Sequence, residues 1–172
     1  MTALPKVYHE QIPLDDLDHI EDEQLRAMVE TWRQWARAAK RPGEGSCRLP
    51  VWDSAFAMEF PLLAERCYLY DLTDGRVTAK FIGEQARDMI GLPGTSGDLY
   101  DLFPRANVYD VHTRILKCAE CGKPNHCKKS MSWNPGREYL DYEVVFLPFR
   151  SKPEAEHCDT VYCAQSFYSH FT

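Results

Sequence analysis

A cluster of sulfur and nitrogen side chains in the second half of the chain has the residue types of a metal site. Cys118 and Cys121 form a Cys-x-x-Cys pair at the end of a predicted helix, and His126 and Cys127 follow one short turn later. Two thiolates at this spacing can reach one tetrahedral ion, and His126 or Cys127 could supply a third ligand. A zinc site with Cys118, Cys121, His126 and Cys127 as candidate ligands is therefore one hypothesis, and no fourth ligand beyond a third from His126 or Cys127 is evident nearby.

The same cysteines support two other interpretations. Lysines 117, 123, 128 and 129 surround them and would lower the thiol pKa values, which favours a redox pair. Seven cysteines in a chain with no export signal are also compatible with ordinary reduced thiols. The loop residues His157 and Cys158 could complete a metal site only if the fold brings them close.

A second chemical candidate is His112. Apolar residues around it recur at i, i+3, i+4, i+7 and i+8, which predicts one face of an amphipathic helix: Val108, Val111, Ile115 and Leu116. His112 is the one polar side chain on that stripe. It could face a ligand, or it could be a core or rim histidine with its hydrogen bonds satisfied.

These residues must be positioned by an α+β arrangement. Alternation of apolar residues predicts a β-hairpin over residues 67–72 and 77–82, joined by the turn Thr73-Asp74-Gly75. Helical spacing follows, and Gly91-Leu92-Pro93-Gly94 ends a helix. Three more strands are predicted over residues 126–133, 139–149 and 160–168. We expect one five-stranded antiparallel sheet over residues 66–171, with the helices between residues 83 and 117 on one face.

The strand alternation also predicts which side chains face inward. In the strand of residues 139–149, Tyr142 and Val144 belong to the core face with Leu140 and Phe146. In the second strand, a candidate inner set is Val77, Ala79 and Phe81. In the last strand it is Val161, Cys163, Gln165 and Phe167. In both strands the alternative is that the complementary residues face inward. A sheet that curves under small helices leaves a pocket unless bulky side chains fill it, and a filled core is the alternative. The candidate ligand-binding residues are Phe81, Val108, Val111, His112, Ile115, Tyr142 and Val144.

A helix is predicted over residues 21–40, ahead of the sheet. Its apolar stripe contains Leu25, Met28, Val29, Trp32, Ala36 and Ala39, and Trp35 lies beside it. The stripe could pack on the sheet of the same chain. Because it is wide and contains two tryptophans, one flank could also remain exposed and form a homodimer interface, which is our prediction.

Composition limits the classes of function. The chain has 172 residues and 44% hydrophobic content, enough for one domain with one core. Its net charge of −6 arises within residues 1–30, so the remainder is neutral and lacks the basic stripe of a nucleic-acid-binding protein. No apolar run reaches the ~20 residues of a membrane helix, and no signal peptide is recognisable, so we expect a cytoplasmic protein.

The predicted organisation has three parts. Residues 1–20 form an acidic arm. Its first 17 residues show little periodicity, so we expect it to be poorly ordered or loosely packed, with docking on a partner as the alternative. Residues 21–65 form a helical extension. Residues 66–172 form the sheet domain.

Several segments resemble a PAS domain. Phe81-Ile82-Gly83-Glu84, Ile90-Gly91 and Asp101-Leu102-Phe103-Pro104 are similar to its centre, where the second strand leads into small helices that wall a ligand pocket. The Trp32-Arg33-Gln34-Trp35 helix and Pro50-Val51-Trp52-Asp53 resemble a bacterial branch in which one short PAS domain is nearly the whole protein. The resemblance covers about residues 25–171, and residues 118–127 have no counterpart in the family pattern.

This resemblance implies a stand-alone sensor or protein-interaction module. It would bind a small ligand or a partner and signal to another chain in trans. The sequence has no phosphate loop, nucleophile elbow, kinase signature or His-Glu-x-x-His motif, so we do not expect an enzyme. An unrecognised enzyme that uses the pocket as its active site is a further alternative.

The resemblance also raises the question of a cofactor. Haem-binding PAS domains take their iron ligand from the helix that here carries His112, but a lone histidine is weak support and we do not expect haem. The photoactive branch needs a Gly-Arg-Asn-Cys motif, which this chain lacks, so we do not expect flavin.

Overall fold

The computed structural model describes residues 9–14, 17–39, 49–131, 134–138 and 140–169. One 3₁₀ helix, Pro61–Arg66, precedes the sheet hairpin. The α-helices are α1 (Glu23–Ala38), α2 (Ser54–Met58), α3 (Glu84–Ile90), α4 (Leu99–Leu102) and α5 (Val108–Cys121). The strands are β1 (His9–Pro13), β2 (Cys67–Thr73), β3 (Arg76–Ile82), β4 (Gly97–Asp98), β5 (Asn125–Ser130), β6 (Leu140–Phe149) and β7 (Thr160–Ser169).

The strands form one antiparallel sheet in the order β1-β5-β6-β7-β2-β3-β4. The predicted α+β class and antiparallel sheet are confirmed. The five predicted strands correspond to β2, β3, β5, β6 and β7, but the count of five is wrong. Six strands have five or more residues, and the two-residue β4 adds a seventh within the described residues.

The prediction of a loosely packed N-terminal arm is wrong for part of its length. Residues His9–Pro13 form β1, which pairs with β5 through His9 and Lys128 and through Pro13 and Asn125. Without β1, β5 would be an edge strand with unpaired backbone groups, so the arm protects that edge. A five-residue strand that ends in proline shows too little alternation to be recognised in the sequence. Residues 1–8 lie outside the described part.

Both faces of the sheet are covered. Helix α5 contributes Val108 and Ile115 to a core with Tyr142 and Val144 on one face. Helix α1 contributes Leu25 and Trp32 to a second core, which includes Val145 and Leu147 on the opposite face. All ten residues of β6 are buried as a result. The prediction that α3, α4 and α5 share one face agrees with the membership of the first core.

The inward orientation predicted for Phe81 is wrong. The register between β2 and β3 shifts between Leu69 and Tyr70. Leu69 pairs with Phe81, but the next residue, Tyr70, pairs with Ala79. This bulge reverses the alternation beyond Ala79, because one additional residue flips every later side chain. Val77, Ala79 and Ile82 are therefore buried, and Phe81 is 49% exposed.

Gly83 follows the bulge at a close contact between two chain segments. A Cβ atom at this position would lie 2.3 Å from the carbonyl carbon of Glu65, which belongs to the 3₁₀ helix. The Gly83 N–H also donates to the Cys67 carbonyl at 2.9 Å. Only glycine allows this approach, which fixes where β3 turns into α3.

The apolar stripe of α1 packs against its own sheet. Trp32 is only 7% exposed, and its indole N–H donates to the Pro148 carbonyl at 2.8 Å. Trp35 makes an edge-to-face contact with Phe56 at 5.2 Å. The expectation of a widely exposed flank is therefore wrong, because α2 and the sheet cover both sides of the stripe. The homodimer prediction loses the surface on which it depended.

Candidate functional site

A cavity of about 350 Å³ lies between α5 and the sheet, on the face opposite α1. It is bordered by strands β2, β5, β6 and β7, by the end of α3 and by the segment that leads into α5. Its walls contain Tyr68, Tyr70, Ile90, Phe103, Ala106, Asn107, Asp110, Val111, Arg114, Lys129, Ser130, Met131, Tyr142, Val144, Phe146, Cys163 and Gln165.

Strand geometry creates the apolar floor of the cavity. Tyr142, Val144 and Phe146 point to the same face because side chains alternate along β6. The neighbouring strand β7 supplies Cys163 and Gln165, paired with Phe146 and Val144 respectively. The floor is therefore continuous across two strands.

Charged groups enter the cavity wall mainly from one flank of α5. Arg114 donates through Nη1 to the Tyr142 hydroxyl at 2.9 Å. Burial tends to lower the pKa of Arg114, but the neighbouring Tyr142, Cys127 and Asp110 outweigh it and raise that pKa. The guanidinium is therefore charged, and its fork is held against the sheet. Asp110 and Lys129 are the other charged residues in the wall.

Two tyrosines and one amide form a further part of the wall. The rings of Tyr68 and Tyr70 stack with centroids 5.9 Å apart, and the Tyr68 hydroxyl donates to Gln165 Oε1. Burial raises the pKa of both tyrosine hydroxyls well above the ordinary value. Both therefore stay neutral and act as hydrogen-bonding groups.

Asn107 is the exceptional residue of the wall. It is 8% exposed, and its Oδ1 atom is buried without a hydrogen-bond partner among the described residues. It also occupies the N-cap of α5, where asparagine commonly accepts a hydrogen bond from the first turn, yet its side chain caps no backbone N–H there. An acceptor buried at the cavity wall without a local partner can complete its hydrogen bond with a bound molecule once the amide turns toward the cavity.

The structure places the predicted ligand-binding residues in three groups. Val111, Tyr142 and Val144 line the cavity. Val108 and Ile115 are buried in the same core, outside the cavity wall. Phe81, on the exposed side of β3, and His112 are also absent from the wall.

His112 lies on another flank of α5. Its Nδ1 is 2.7 Å from the Tyr100 hydroxyl, and the two rings contact edge to face. The side of α5 that faces the core carries Val108, Val111, Ile115 and Cys118. His112 lies beside this stripe and is half-buried at the rim of the core. The geometry therefore gives no support to haem ligation by His112 in the cavity.

The polar residues of the wall were missed by sequence reasoning. Asn107, Asp110 and Arg114 are spaced i, i+3 and i+7, so they form one flank of α5. This spacing was detectable, but polar residues beside an apolar stripe usually face solvent. Gln165 is the exception, because alternation along the last strand had placed it in a candidate inner set with Cys163. Lys129 carries no signal of its own, because only the sheet brings it to the helix.

The four predicted zinc ligands do not converge. Cys127 pairs with Val144 and faces α5, whereas His126 pairs with Val145 and faces α1. Adjacent residues of a strand point to opposite faces, so these two cannot bind one ion with the same cysteine pair. No group of three or more His, Cys, Asp or Glu side chains within the described ranges is arranged to hold a metal.

The Cys-x-x-Cys pair instead lies in the last turn of α5. The thiols of Cys118 and Cys121 approach the Lys123 carbonyl at 3.7 and 3.8 Å, and Asn125 Nδ2 donates to Cys121 Sγ at 3.2 Å. Burial raises the pKa of Cys118 well above the ordinary value. The predicted thiolate activation by nearby lysines is therefore wrong for Cys118, because desolvation dominates.

The loop of His157 and Cys158 does approach this end of α5. Cys121, Glu120, His157 and Cys158 line a common groove with Leu116. The condition stated for these residues from the sequence, a loop close to the cysteine pair, is therefore met. The groove nevertheless lacks the metal arrangement, as stated above.

A polar network occupies the opposite face of the sheet. Glu143 is fully buried and lies 2.7 Å from His126 Nε2, and it accepts hydrogen bonds from the Tyr168 hydroxyl at 2.8 Å and the Glu21 N–H at 2.8 Å. Asp22, the N-cap of α1, accepts from Ser166 at 2.7 Å. Strands β6 and β7 therefore bind the start of α1 through Glu143 and Ser166, and β5 does so through Lys128, whose Nζ lies 2.6 Å from a Glu21 carboxylate oxygen.

No helix in the described part of the chain is both long and apolar enough to cross a membrane. Comparison with known proteins finds no matching family model, no similar curated protein and no similar solved structure. The geometry of the site is therefore the basis on which a function can be proposed.

Proposed function

We propose that this protein is a stand-alone PAS-type sensor that binds a small molecule between α5 and the sheet and signals to a partner protein in trans. The observation that carries the proposal is the cavity of about 350 Å³, in which an apolar floor faces a few convergent polar groups. The element order, two strands, short helices, a longer helix and three strands, supports the PAS resemblance.

The sheet offers a route from the cavity to the other face. Tyr142 and Val144 of β6 line the cavity, while the intervening Glu143 binds the start of α1. In β7, Gln165 lines the cavity and Ser166 binds Asp22. A ligand that displaces either strand would alter the contacts that hold α1, and α1 with its flanking acidic residues would present that change to a partner.

Native mass spectrometry of the intact chain, purified from its own host, tests the proposal. We expect a bound small molecule that is lost from Ala106→Trp, because Ala106 is exposed at the cavity wall and an indole there would block the opening. Arg105→Trp is the matched control, since Arg105 is exposed, adjacent and outside the wall. A ligand retained equally by both variants would place binding elsewhere, and a wild-type protein without ligand would leave only the interaction-module form of the proposal.

A further inference from the structure

We propose that the ligand of this cavity is a small organic carboxylate that carries a hydrogen-bond donor, an ammonium or a hydroxyl, beside an apolar body. This inference rests on the proposed function and assigns the chemistry of its ligand. It follows from the arrangement of charge and hydrogen-bonding capacity along α5.

The positively charged side chains of the wall, Arg114 and Lys129, would attract an anion. Arg114 and Lys129 both line the cavity, in a chain whose net charge is −6. Arg114 uses Nη1 for Tyr142, and a guanidinium has five N–H donors in a fork that suits a carboxylate. Asp110 in the same wall would repel a second negative charge, so the wall favours a singly charged anion over a dianion such as phosphate.

The other end of the same flank calls for a donor. Asn107 Oδ1 is a buried acceptor without a partner among the described residues, and an unsatisfied buried acceptor is costly. Asp110 is one turn further along α5 and contributes a carboxylate to the same wall. Two acceptors side by side match an ammonium or a hydroxyl group of the ligand.

The spacing of these groups fixes the orientation of the ligand. Asp110 and Arg114 are four residues apart, which corresponds to a rise of about 6 Å along a helix. A molecule whose donor and carboxylate are attached to neighbouring atoms can span this distance with hydrogen bonds at both ends. The acceptors lie toward the N-terminal end of α5 and the guanidinium toward its C-terminal end.

An apolar body completes the fit. The remaining wall is formed largely by Ile90, Phe103, Val111, Met131, Val144 and Phe146. The cavity volume is near the lower end of the range of roughly 300–1,000 Å³ that small-molecule sites occupy. A metabolite with one branched or aromatic side group matches both the size and the lining.

Isothermal titration calorimetry on the intact chain tests this class with four probes of one shape. These are L-phenylalanine, 3-phenyllactate, 3-phenylpropionate and 2-phenylethanol. We expect L-phenylalanine or 3-phenyllactate to bind at least tenfold more tightly than 3-phenylpropionate, and 2-phenylethanol to bind most weakly. Tighter binding of the amino acid would assign an ammonium to the Asp110 end, and tighter binding of the hydroxy acid would assign a hydroxyl.

Two variants separate the two ends of the site. Arg114→Gln should weaken all three carboxylates at least tenfold, and Arg105→Gln, which removes an exposed charge outside the wall, should leave them unchanged. Asn107→Leu should abolish the preference for a donor without weakening 3-phenylpropionate. It should also raise the melting temperature of the empty protein, because an unpaired buried acceptor is removed, which is a result that loss of folding cannot mimic.

The outcomes distinguish this inference from the proposed function. Binding of 2-phenylethanol as tight as that of the acids would overturn the carboxylate class while leaving a ligand-binding sensor intact. A host ligand found by mass spectrometry that lacks a carboxylate would do the same. Failure of all four probes, together with the absence of a host ligand, would overturn this inference and the ligand-binding form of the proposed function, and would leave only the interaction-module form.

Discussion

At the scale of single residues, Glu143 is the most constrained polar group of the described chain. Burial pushes the pKa of this carboxyl up, but the hydrogen bonds from His126, the Glu21 N–H and Tyr168 outweigh it and hold the pKa below the ordinary value. The fold therefore favours the ionised form. Its contribution to stability is present above the unfolded-state pKa of about 4.3 and is lost as the pH falls through the folded-state pKa.

Glu143→Gln should make the chain less stable by about 1–3 kcal/mol near neutral pH, because the buried hydrogen-bond donors lose their charged acceptor. The difference from wild type should narrow as the pH falls from about 5 to about 3, where the wild-type carboxyl becomes protonated. Urea unfolding across this range measures both effects.

The control for this substitution is Glu120→Gln, at an exposed position of α5. It should change the free energy of unfolding by no more than about 0.5 kcal/mol. A Glu143→Gln variant whose deficit is the same at neutral and acid pH would show that the charge of Glu143 is unimportant.

At the scale of elements, α1 packs on the sheet of its own chain, which is one of the two roles that its sequence allowed. Its N-cap Asp22 accepts a hydrogen bond from the Leu25 N–H at 2.9 Å. Asp22 also accepts a hydrogen bond from the Ser166 hydroxyl of β7, which fixes the start of the helix on the sheet. Trp32 then fills the second core and bonds Pro148. The helix is therefore part of the fold of its own chain.

Trp32→Ala should destabilise the protein by about 3–5 kcal/mol, because it removes a buried aromatic ring and leaves the Pro148 carbonyl without its donor. Trp32→Phe should cost less, since it retains most of the apolar contact. Gln34→Ala, at an exposed position of α1, is the control. Urea unfolding gives the stabilities, and light scattering gives the mass.

A variant at Trp32 with wild-type stability but a halved mass would contradict this account. That result would restore the helix as a dimer interface.

At the scale of the whole molecule, one sheet holds two cores. Strand β6 supplies Tyr142 and Val144 to the core under α5, and Val145 and Leu147 to the core under α1. Because one strand is shared, neither core can be lost without exposing the other. The proposed signalling from the cavity to α1 depends on this mechanical continuity.

Ile115→Ala removes apolar contacts from the core under α5. It should also lower the free energy of unfolding that is reported by probes in the core under α1. The described tryptophans, Trp32, Trp35 and Trp52, all belong to or pack against the latter core. We expect tryptophan fluorescence and far-ultraviolet circular dichroism to report one coincident urea transition, shifted by about 2–5 kcal/mol.

Leu62→Ala is the control for this experiment, because Leu62 is largely exposed. Its transition should coincide with that of the wild type. A fluorescence transition that stays unchanged in Ile115→Ala while the dichroism transition moves would mean that the two cores unfold separately, and transmission across the sheet would then lack its physical basis.

The sequence by itself determined the local elements. Alternation in residues 140–149 and 160–169 and helical spacing in residues 108–121 follow from which side chains each element must bury, so they are visible in the order of residues. The same reasoning found Val111, Tyr142 and Val144 of the cavity wall. The same reasoning located helix α1. It left open whether the sheet of the same chain or a second copy covers the apolar stripe of that helix.

Only the tertiary structure decided which faces and which distant residues meet. The bulge beside Ala79 turned Phe81 outward, and the opposite faces of β5 separated His126 from the cysteines, because one residue of register reverses a side chain. Arg114 and Lys129 are ordinary surface cations in the sequence. They share a cavity because α5 crosses strands that are far away along the chain, and no local pattern encodes such long-range pairing.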